Sequence, residues 1–309
     1  MKNKTQRLAC IDIGSNAIKY RQYRISKQKS KNFAELDTFK RISVRLGTDA
    51  FKFKKISSET EQKLLKSIMK LKDKADKKDI KIITGVATSA MRTVSNGHKI
   101  CKKIRKKTDI EIKILSGNEE AQLLNFFNYK DFKKDETLVV DIGGGSTELF
   151  HHGNGKHLAK SFPLGAVRIL EGKDSLKHWN NLKEWLTKIP SENIKNIVGV
   201  GGNARLINEI INKQNRKSSL KELKVLKKEL SSKSFEEKVS SYSLPEDRAD
   251  ILEHAIAIFI EIIEFFPKSF LFDSSWNIAD AVMKKELQGN KSIQAVSYTH
   301  LTLPTKVSG

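Results

Sequence analysis

The sequence has little cysteine and no long apolar run. Its two cysteines, Cys10 and Cys101, are too few for a disulfide scaffold or a cysteine zinc cluster, and they favour a reducing compartment. No stretch approaches the roughly 18 uninterrupted apolar residues of a transmembrane helix. The N-terminus is basic but lacks the apolar segment of a secretory signal. We therefore expect a cytoplasmic protein without a membrane anchor.

Acidic residues are scarce relative to basic ones. The 309 residues include 58 Lys+Arg and 36 Asp+Glu, a net charge of +22. Such a charge attracts polyanions, including nucleotides and inorganic polyphosphate. Most of the basic residues are lysine, however, and scattered lysine is also typical of an ordinary solvated surface, so both interpretations stay open. Aromatic residues make up only 7% and do not interleave with a basic motif, which argues against specific nucleic-acid binding.

Two apolar segments end in similar glycine turns. Residues 8–13 (LACIDI) lead into IDIGSN, and residues 137–142 (TLVVDI) lead into DIGGGS. Their aspartates, Asp12 and Asp141, are 129 residues apart, which indicates an internal duplication. Strand and helix patterns follow each turn, so the sequence predicts two related α/β domains with a cleft between them.

The domain boundary is predicted in the polar stretch 124–136. This places an N-terminal domain at 1–128 and a second domain at 129–294. Residues 295–309 carry one formal charge, on Lys306, and we interpret them as a tail outside the fold, of non-native character.

Apolar periodicity predicts several helices, and two of the predictions are specific. One helix covers 58–74, capped by Ser57 or Ser58, and a long apolar helix covers 250–266, stopped by Pro267. The adjacent histidines 151 and 152 diverge in a strand and are expected to be solvated.

The glycine turns have the composition of phosphate-binding loops. Glycine lets the backbone approach a ligand closely, and successive N–H groups in such a turn can bind an anion. A tight hairpin with a capping Asp is the alternative interpretation of one turn, but two matching turns favour function. A third glycine-rich strand end, GVGGNAR, would sit over a phosphate at a helix start. The candidate phosphate-binding residues are Gly14, Ser15, Asn16, Gly143, Gly144, Gly145, Ser146, Gly201 and Gly202.

Carboxylates accompany the second loop. Asp141 and Glu148 lie on adjacent strands if the loop folds as a hairpin, and two hard oxygen ligands beside a phosphate loop suit Mg²⁺. A surface position for Glu148 is the alternative.

Two further side chains are candidates for the cleft. In Ser116-Gly117-Asn118-Glu119-Glu120, one interpretation is a helix start capped by Asn118, and the other is a carboxylate that positions or deprotonates a water. Arg92 follows a strand and a turn of small residues, where a guanidinium can bind phosphate; a surface helix residue is the alternative.

Six motifs occur in a characteristic order: IDIGSN, GVATSAMR, SGNEEAQLL, VVDIGGGSTEL, PLGAVRILE and VGVGGNAR. Together they resemble the exopolyphosphatase and guanosine pentaphosphate phosphatase (Ppx/GppA) family of the actin-like, sugar-kinase and Hsp70 superfamily, over about residues 8–290. The resemblance implies an α/β fold of two ribonuclease-H-like (actin-like ATPase) domains with the active site in the cleft between them.

The resemblance also implies hydrolysis of a terminal phosphoanhydride with Mg²⁺. Glu120 matches the catalytic base, Arg92 matches an arginine that contacts phosphate, and Asp141 and Glu148 match metal-associated carboxylates. The preferred substrate is inorganic polyphosphate. A guanosine pentaphosphate (pppGpp) 5′-phosphohydrolase and a non-catalytic polyphosphate- or nucleotide-binding regulator stay open, as does a homodimer.

The sequence departs from the family pattern at two places. Asn203 stands where members usually carry Thr, and Ile278-Ala279-Asp280-Ala281 replaces a common Leu-Arg-Glu-Gly, with loss of an arginine. The second departure is the support for a non-catalytic regulator.

Overall fold

The computed structural model describes residues 6–28, 31–153, 156–190, 192–211 and 216–289. The predicted tail at 295–309 lies outside these residues. The first part of the chain forms β1 (Gln6–Ile13), β2 (Ala17–Gln28), β3 (Lys31–Ser43), α1 (Leu46–Phe53), α2 (Ser58–Asp76), β4 (Lys81–Ala87), α3 (Ser89–Thr93), α4 (Gly97–Thr108), β5 (Ile112–Ile114) and α5 (Gly117–Leu123), followed by a 3-10 turn (Leu124–Phe126).

The second part of the chain begins a new sheet. Its elements are β6 (Thr137–Ile142), β7 (Thr147–Gly153), β8 (Lys156–Phe162), α6 (Ala166–Leu170), α7 (Leu176–Leu186), β9 (Asn196–Val200), α8 (Gly202–Ile211), β10 (Lys217–Ser218), α9 (Leu220–Ser231), α10 (Phe235–Tyr242), α11 (Glu246–Ala249), α12 (Leu252–Glu264), β11 (Phe270–Asp273) and α13 (Ile278–Gly289).

The two sheets repeat one topology. The five-stranded sheet has the order β3-β2-β1-β4-β5, and the six-stranded sheet has the order β10-β11-β9-β6-β7-β8. In each, the first three strands form an antiparallel meander, and two later strands add in parallel beside the first strand. The duplication read from Asp12 and Asp141 is therefore a duplication of structure, and the predicted α/β fold of two ribonuclease-H-like domains is confirmed.

Burial explains why these segments fold as they do. All six residues of β6 are buried, as expected for a central strand. The predicted helix over 58–74 is α2, which buries Leu64, Ile68 and Leu71 on one face; the Ser57 side chain accepts a hydrogen bond from Thr60 N–H at its start.

Two sequence predictions were wrong in detail. The apolar helix predicted at 250–266 begins at Leu252, because the side chain of Asp250 is held by Arg45 and the preceding turn forms the separate helix α11. His151 is buried rather than solvated, and its Nδ1 lies 3.1 Å from the Thr137 carbonyl oxygen. His152 is half-buried.

The C-terminal helix α13 returns to the first sheet. Ile278 and Met283 pack in one buried cluster with Cys10 and Tyr23 of β1 and β2. The division of the chain at residue 128 stays a prediction, since this helix crosses it. In the described part of the chain, no helix combines the length and the apolar character needed to span a bilayer.

Candidate active site

The two glycine turns lie at equivalent ends of β1 and β6. In each turn the first glycine donates its N–H across the hairpin: Gly14 to the Ala17 carbonyl at 3.1 Å, and Gly143 to the Ser146 carbonyl at 2.9 Å. The matching aspartates face a residue seven positions later on the returning strand. Asp12 pairs in register with Lys19, and Asp141 pairs in register with Glu148.

The turns touch each other across the domain boundary, and glycine permits this contact. A Cβ on Gly145 would lie 2.7 Å from the Ser15 hydroxyl oxygen and 2.4 Å from the Phe51 ring. Such distances exclude any side chain at this position. The close approach of the loops brings Ser15 and Gly145 to one point.

Two N–H groups of the second loop, those of Gly144 and Gly145, are turned away from helix α6. The carbonyls of Gly143 and Gly144 accept hydrogen bonds from the first amides of α6, at 2.8–3.0 Å. Because the N–H and C=O of a trans peptide point in opposite directions, the N–H groups of Gly144 and Gly145 point away from α6. Both glycines line a small cavity between the domains, where these donors can bind an anion.

Buried carboxylates surround this cavity. Burial raises the pKa of Asp141 to about 6, against the lowering effect of Lys19. Burial and the neighbouring Asp141 together raise the pKa of Glu148 to about 7, although the Ser161 hydroxyl donates to Glu148 at 2.7 Å. The surface position considered for Glu148 is therefore wrong: its exposed fraction is 2%.

Glu120 faces the same cavity from the first turn of α5. Its exposed fraction is 4%, and Arg92 Nη1 donates to its Oε2 at 2.8 Å. Burial and the nearby Glu148 raise its pKa well above the usual value, while Arg92 lowers it. The helix cap is formed by other residues. Ser116 and Glu119 make a reciprocal capping box, so the predicted cap at Asn118 was wrong and Glu120 is free of any capping role.

The structure brings the predicted residues together. One cavity of about 70 Å³ is lined by every predicted site residue except Arg92, which reaches it through Glu120 and lines the adjoining cavity. Three cationic side chains that line it were not predicted: Lys19, Arg41 and Arg248. The duplication held a signal for Lys19, since it follows Asp12 at the same spacing as Glu148 follows Asp141. Arg41 and Arg248 come from β3 and α11, and no sequence motif links them to the loops.

Lys19 and Arg248 are held by the site itself. Lys19 Nζ lies 3.0 Å from Asp12 Oδ2; burial lowers its pKa, but Asp12 and Asp141 outweigh burial and raise it overall. The Arg248 guanidinium covers Gly202 and donates to Asn203 Oδ1 at 2.6 Å. Asn203 in turn donates to the Ile142 carbonyl at 2.8 Å. Asn203, the residue that departs from the family pattern, therefore holds Arg248 at the end of β6.

A polar cluster joins the domains beside the first loop. Asp247 of α11 accepts hydrogen bonds from both Arg41 and Asn16, and its carbonyl accepts from Arg45 at 3.1 Å. The Asn16 amide nitrogen is thus already used, at 2.9 Å from the Asp247 carbonyl. Its Oδ1 is buried without a partner among the described residues, as are Ser15 Oγ and Asp12 Oδ1.

The donor set fits a magnesium ion. Asp12, Asp141 and Glu148 supply buried carboxylate oxygens, and Asp12 Oδ1 has no hydrogen-bond partner in the described structure. Among all residues that the structure describes, no group of three Asp, Glu, His or Cys side chains is arranged to hold a metal ion by itself. Mg²⁺ in phosphate sites usually takes only one or two carboxylates and completes its shell with waters and phosphate oxygens.

The sequence is similar to that of known phosphatases. The sequence matches the model of the Ppx/GppA phosphatase family over residues 25–289. This chain belongs to the Ppx/GppA phosphatase family. Among curated relatives, the bifunctional 3-dehydroquinate synthase/phosphatase of Fusobacterium nucleatum is 30% identical over 316 aligned positions, which cover 89% of this chain and 46% of that protein. Exopolyphosphatase 1 of Mycobacterium tuberculosis is 27% identical over 166 residues, 53% of this chain and 47% of that protein.

Solved structures of Ppx/GppA proteins share the fold. A family member from Aquifex aeolicus superposes with a TM-score of 0.72 at 20% identity, covering 92% of this chain and 98% of that one. An exopolyphosphatase from Cytophaga hutchinsonii gives 0.75 at 19% identity, with the same coverage. The chain spans about half the length of the curated relatives it matches.

Proposed function

We propose that this Ppx/GppA protein hydrolyses the terminal phosphoanhydride of inorganic polyphosphate, with Glu120 as the base that activates water. The observation that carries the proposal is the position of Glu120. This buried carboxylate is held by Arg92 and lines the same cavity as both glycine loops and the carboxylates Asp141 and Glu148. The base and the phosphate donors therefore line one cavity.

Phosphoryl transfer requires positioning and charge stabilisation more than covalent chemistry. The N–H groups of Gly144 and Gly145 bind oxygens of the terminal phosphoryl group. Arg92 orients Glu120, and Glu120 accepts the proton of the attacking water. The raised pKa of Glu120, caused by burial and by Glu148, makes its ionised form a stronger base.

Asp141 and Glu148 would hold the magnesium ion, directly or through waters, with Asp12 beside them. When bound, the ion would supply positive charge to the phosphate oxygens and would relieve the repulsion between these carboxylates. Lys19 adds a fixed positive charge at the same end of the cavity.

The altered segment 278–281 has a structural role, which weakens its support for a non-catalytic regulator. Asp280 is buried, and its carboxylate accepts hydrogen bonds from Arg21 and from Tyr23 Oη. The segment therefore anchors α13 on the first sheet, while the carboxylates and loops of the cavity are complete. Polyphosphate is preferred as substrate because a chain of net charge +22 attracts a long polyanion, and because curated relatives include exopolyphosphatases.

Phosphate release from polyphosphate and from pppGpp, measured side by side with added Mg²⁺, tests the proposal. We expect release from polyphosphate with a higher kcat/KM than from pppGpp. The opposite order would make the protein a nucleotide phosphohydrolase. Release from neither substrate by the folded protein would refute the proposed hydrolase.

A further inference from the structure

A second, larger cavity adjoins the first. Its volume is about 360 Å³, and it shares Ser89 and Ser146 with the smaller cavity. Arg92, Lys160 and Arg168 line it, with hydroxyl and amide side chains between them and no carboxylate among its lining residues. The base Glu120 and its partner Arg92 thus lie between the small cavity at the glycine loops and a wider cavity lined by cationic side chains.

Arg168, from the motif PLGAVRILE, is the unusual group in this wall. Its exposed fraction is 7%. Its partners are neutral: Nε donates to the Gly145 carbonyl at 2.8 Å, and the guanidinium carbon lies 4.1 Å from the Phe51 ring centroid. Arg168 forms no ion pair with any described residue. Burial and Arg92 lower its pKa to about 10, which leaves it a cation at neutral pH.

A buried cation without a counter-charge is unfavourable, because its lost hydration is not replaced by an opposite charge. An anion bound in the second cavity would supply that charge. The fork of Arg168 suits phosphate oxygens in particular. Lys160, exposed on β8 at the same cavity, forms no ion pair with the described residues. Its Nζ lies 5.4 Å from the Phe162 ring centroid and adds a second positive charge.

The wall also lacks what a nucleobase needs. Among the described residues, no aromatic side chain lines the second cavity, and the apolar residues that line it are Ala159 and Pro163. Bases bind proteins largely by stacking on aromatic or guanidinium planes, and here Phe51 already occupies a face of the Arg168 guanidinium. The lining therefore favours phosphate oxygens over a nucleobase.

We infer that the second cavity is the subsite for the phosphoryl groups behind the scissile bond, and that Arg168 and Lys160 make it selective for an unsubstituted linear phosphate chain over a nucleotide. This inference rests on the proposed hydrolase function, since it assigns the terminal phosphoryl group to the small cavity. The small cavity takes the group that is cleaved, and the second cavity retains the shortened chain.

Direct binding tests the subsite without turnover. In the Glu120→Gln background, calorimetry measures the Kd of orthophosphate, tripolyphosphate and pppGpp with Mg²⁺ present. Adding Arg168→Gln should weaken tripolyphosphate about tenfold, and adding Lys160→Ala about threefold, as expected for a buried and an exposed phosphate contact. Orthophosphate, confined to the small cavity, should change less than about twofold for Lys160→Ala. Tripolyphosphate should bind more tightly than pppGpp.

The matched control is Lys107→Ala, an exposed lysine at the far end of α4. It carries the same charge change and should leave all three Kd values unaltered. An equal loss with Lys107→Ala would mean that only net charge matters and would overturn the subsite. The subsite would also be overturned if Arg168→Gln and Lys160→Ala each weakened the binding of orthophosphate and tripolyphosphate equally. Tighter binding of pppGpp would overturn the selectivity. Failure of the hydrolase proposal is separate, because it shows as absent phosphate release in the unmodified protein.

Discussion

Substituting Glu120 by Gln separates catalysis from folding in this protein. The change removes the charge and the base but keeps the shape of the side chain, and the new amide oxygen still accepts a hydrogen bond from Arg92. The helix start is unaffected, because Ser116 and Glu119 form the capping box. Turnover should fall by about 10²–10⁴, the usual contribution of a general base.

The stability of the Glu120→Gln protein should not fall with its turnover. Glu120 is buried beside Glu148, and both burial and that like charge disfavour its ionised form. Removing the charge should therefore leave the metal-free protein at least as stable as the unmodified one. The neighbouring substitution Glu119→Gln is the matched control. It weakens the capping box, which is worth about 1 kcal/mol, and it should leave turnover within about twofold.

The assay combines steady-state phosphate release from polyphosphate with thermal unfolding of the three proteins. The expected pattern is a crossed one: Glu120→Gln inactive and stable, and Glu119→Gln active with a Tm lower by about 2 °C. Near-normal turnover in a folded Glu120→Gln protein would refute the assignment of the base. An equal loss of turnover in both variants would show that the helix start, and not the carboxylate, is what matters.

Three further outcomes are expected. EDTA should abolish phosphate release and added Mg²⁺ should restore it, whereas activity in metal-free buffer would exclude the cofactor. Mg²⁺ should also raise the Tm of the unmodified protein, and Asp141→Asn should remove that rise. Asp247→Ala should lower the free energy of unfolding by about 3 kcal/mol, because Arg41 loses its carboxylate partner between the domains, although Asn16 keeps the Asp247 backbone carbonyl; a Tm within about 1 °C of the unmodified protein would contradict this. KM for long polyphosphate should rise steeply with salt, and more than KM for pppGpp, because exposed charges are screened beyond roughly 8 Å at 0.15 M. An equal and shallow rise of both KM values would mean that the net charge of +22 does not help to bind polyphosphate.

Much of this protein follows from local sequence patterns. The strands that contain Asp12 and Asp141 are apolar runs interrupted only by these aspartates near their ends, and the glycines after them favour a turn. Their repetition predicted two related domains, and the order of the motifs predicted the family. The edge strand β3 was missed, because it pairs with β2 only and its polar composition shows no clear alternation.

The tertiary structure decided what the site contains beyond its motifs. Arg41 and Arg248 reach the cavity from a strand and a helix more than 200 residues apart, so no window of sequence could unite them. The lack of an ion pair between Arg168 and any described residue, and the raised pKa of Glu148, are also tertiary. Each depends on burial and on which charges lie nearby, and these are properties of the packed domains. The sequence determined the strands, turns and helix starts through local conformational preference. Long-range packing determined which charged side chains meet in the site and how strongly burial shifts their pKa values.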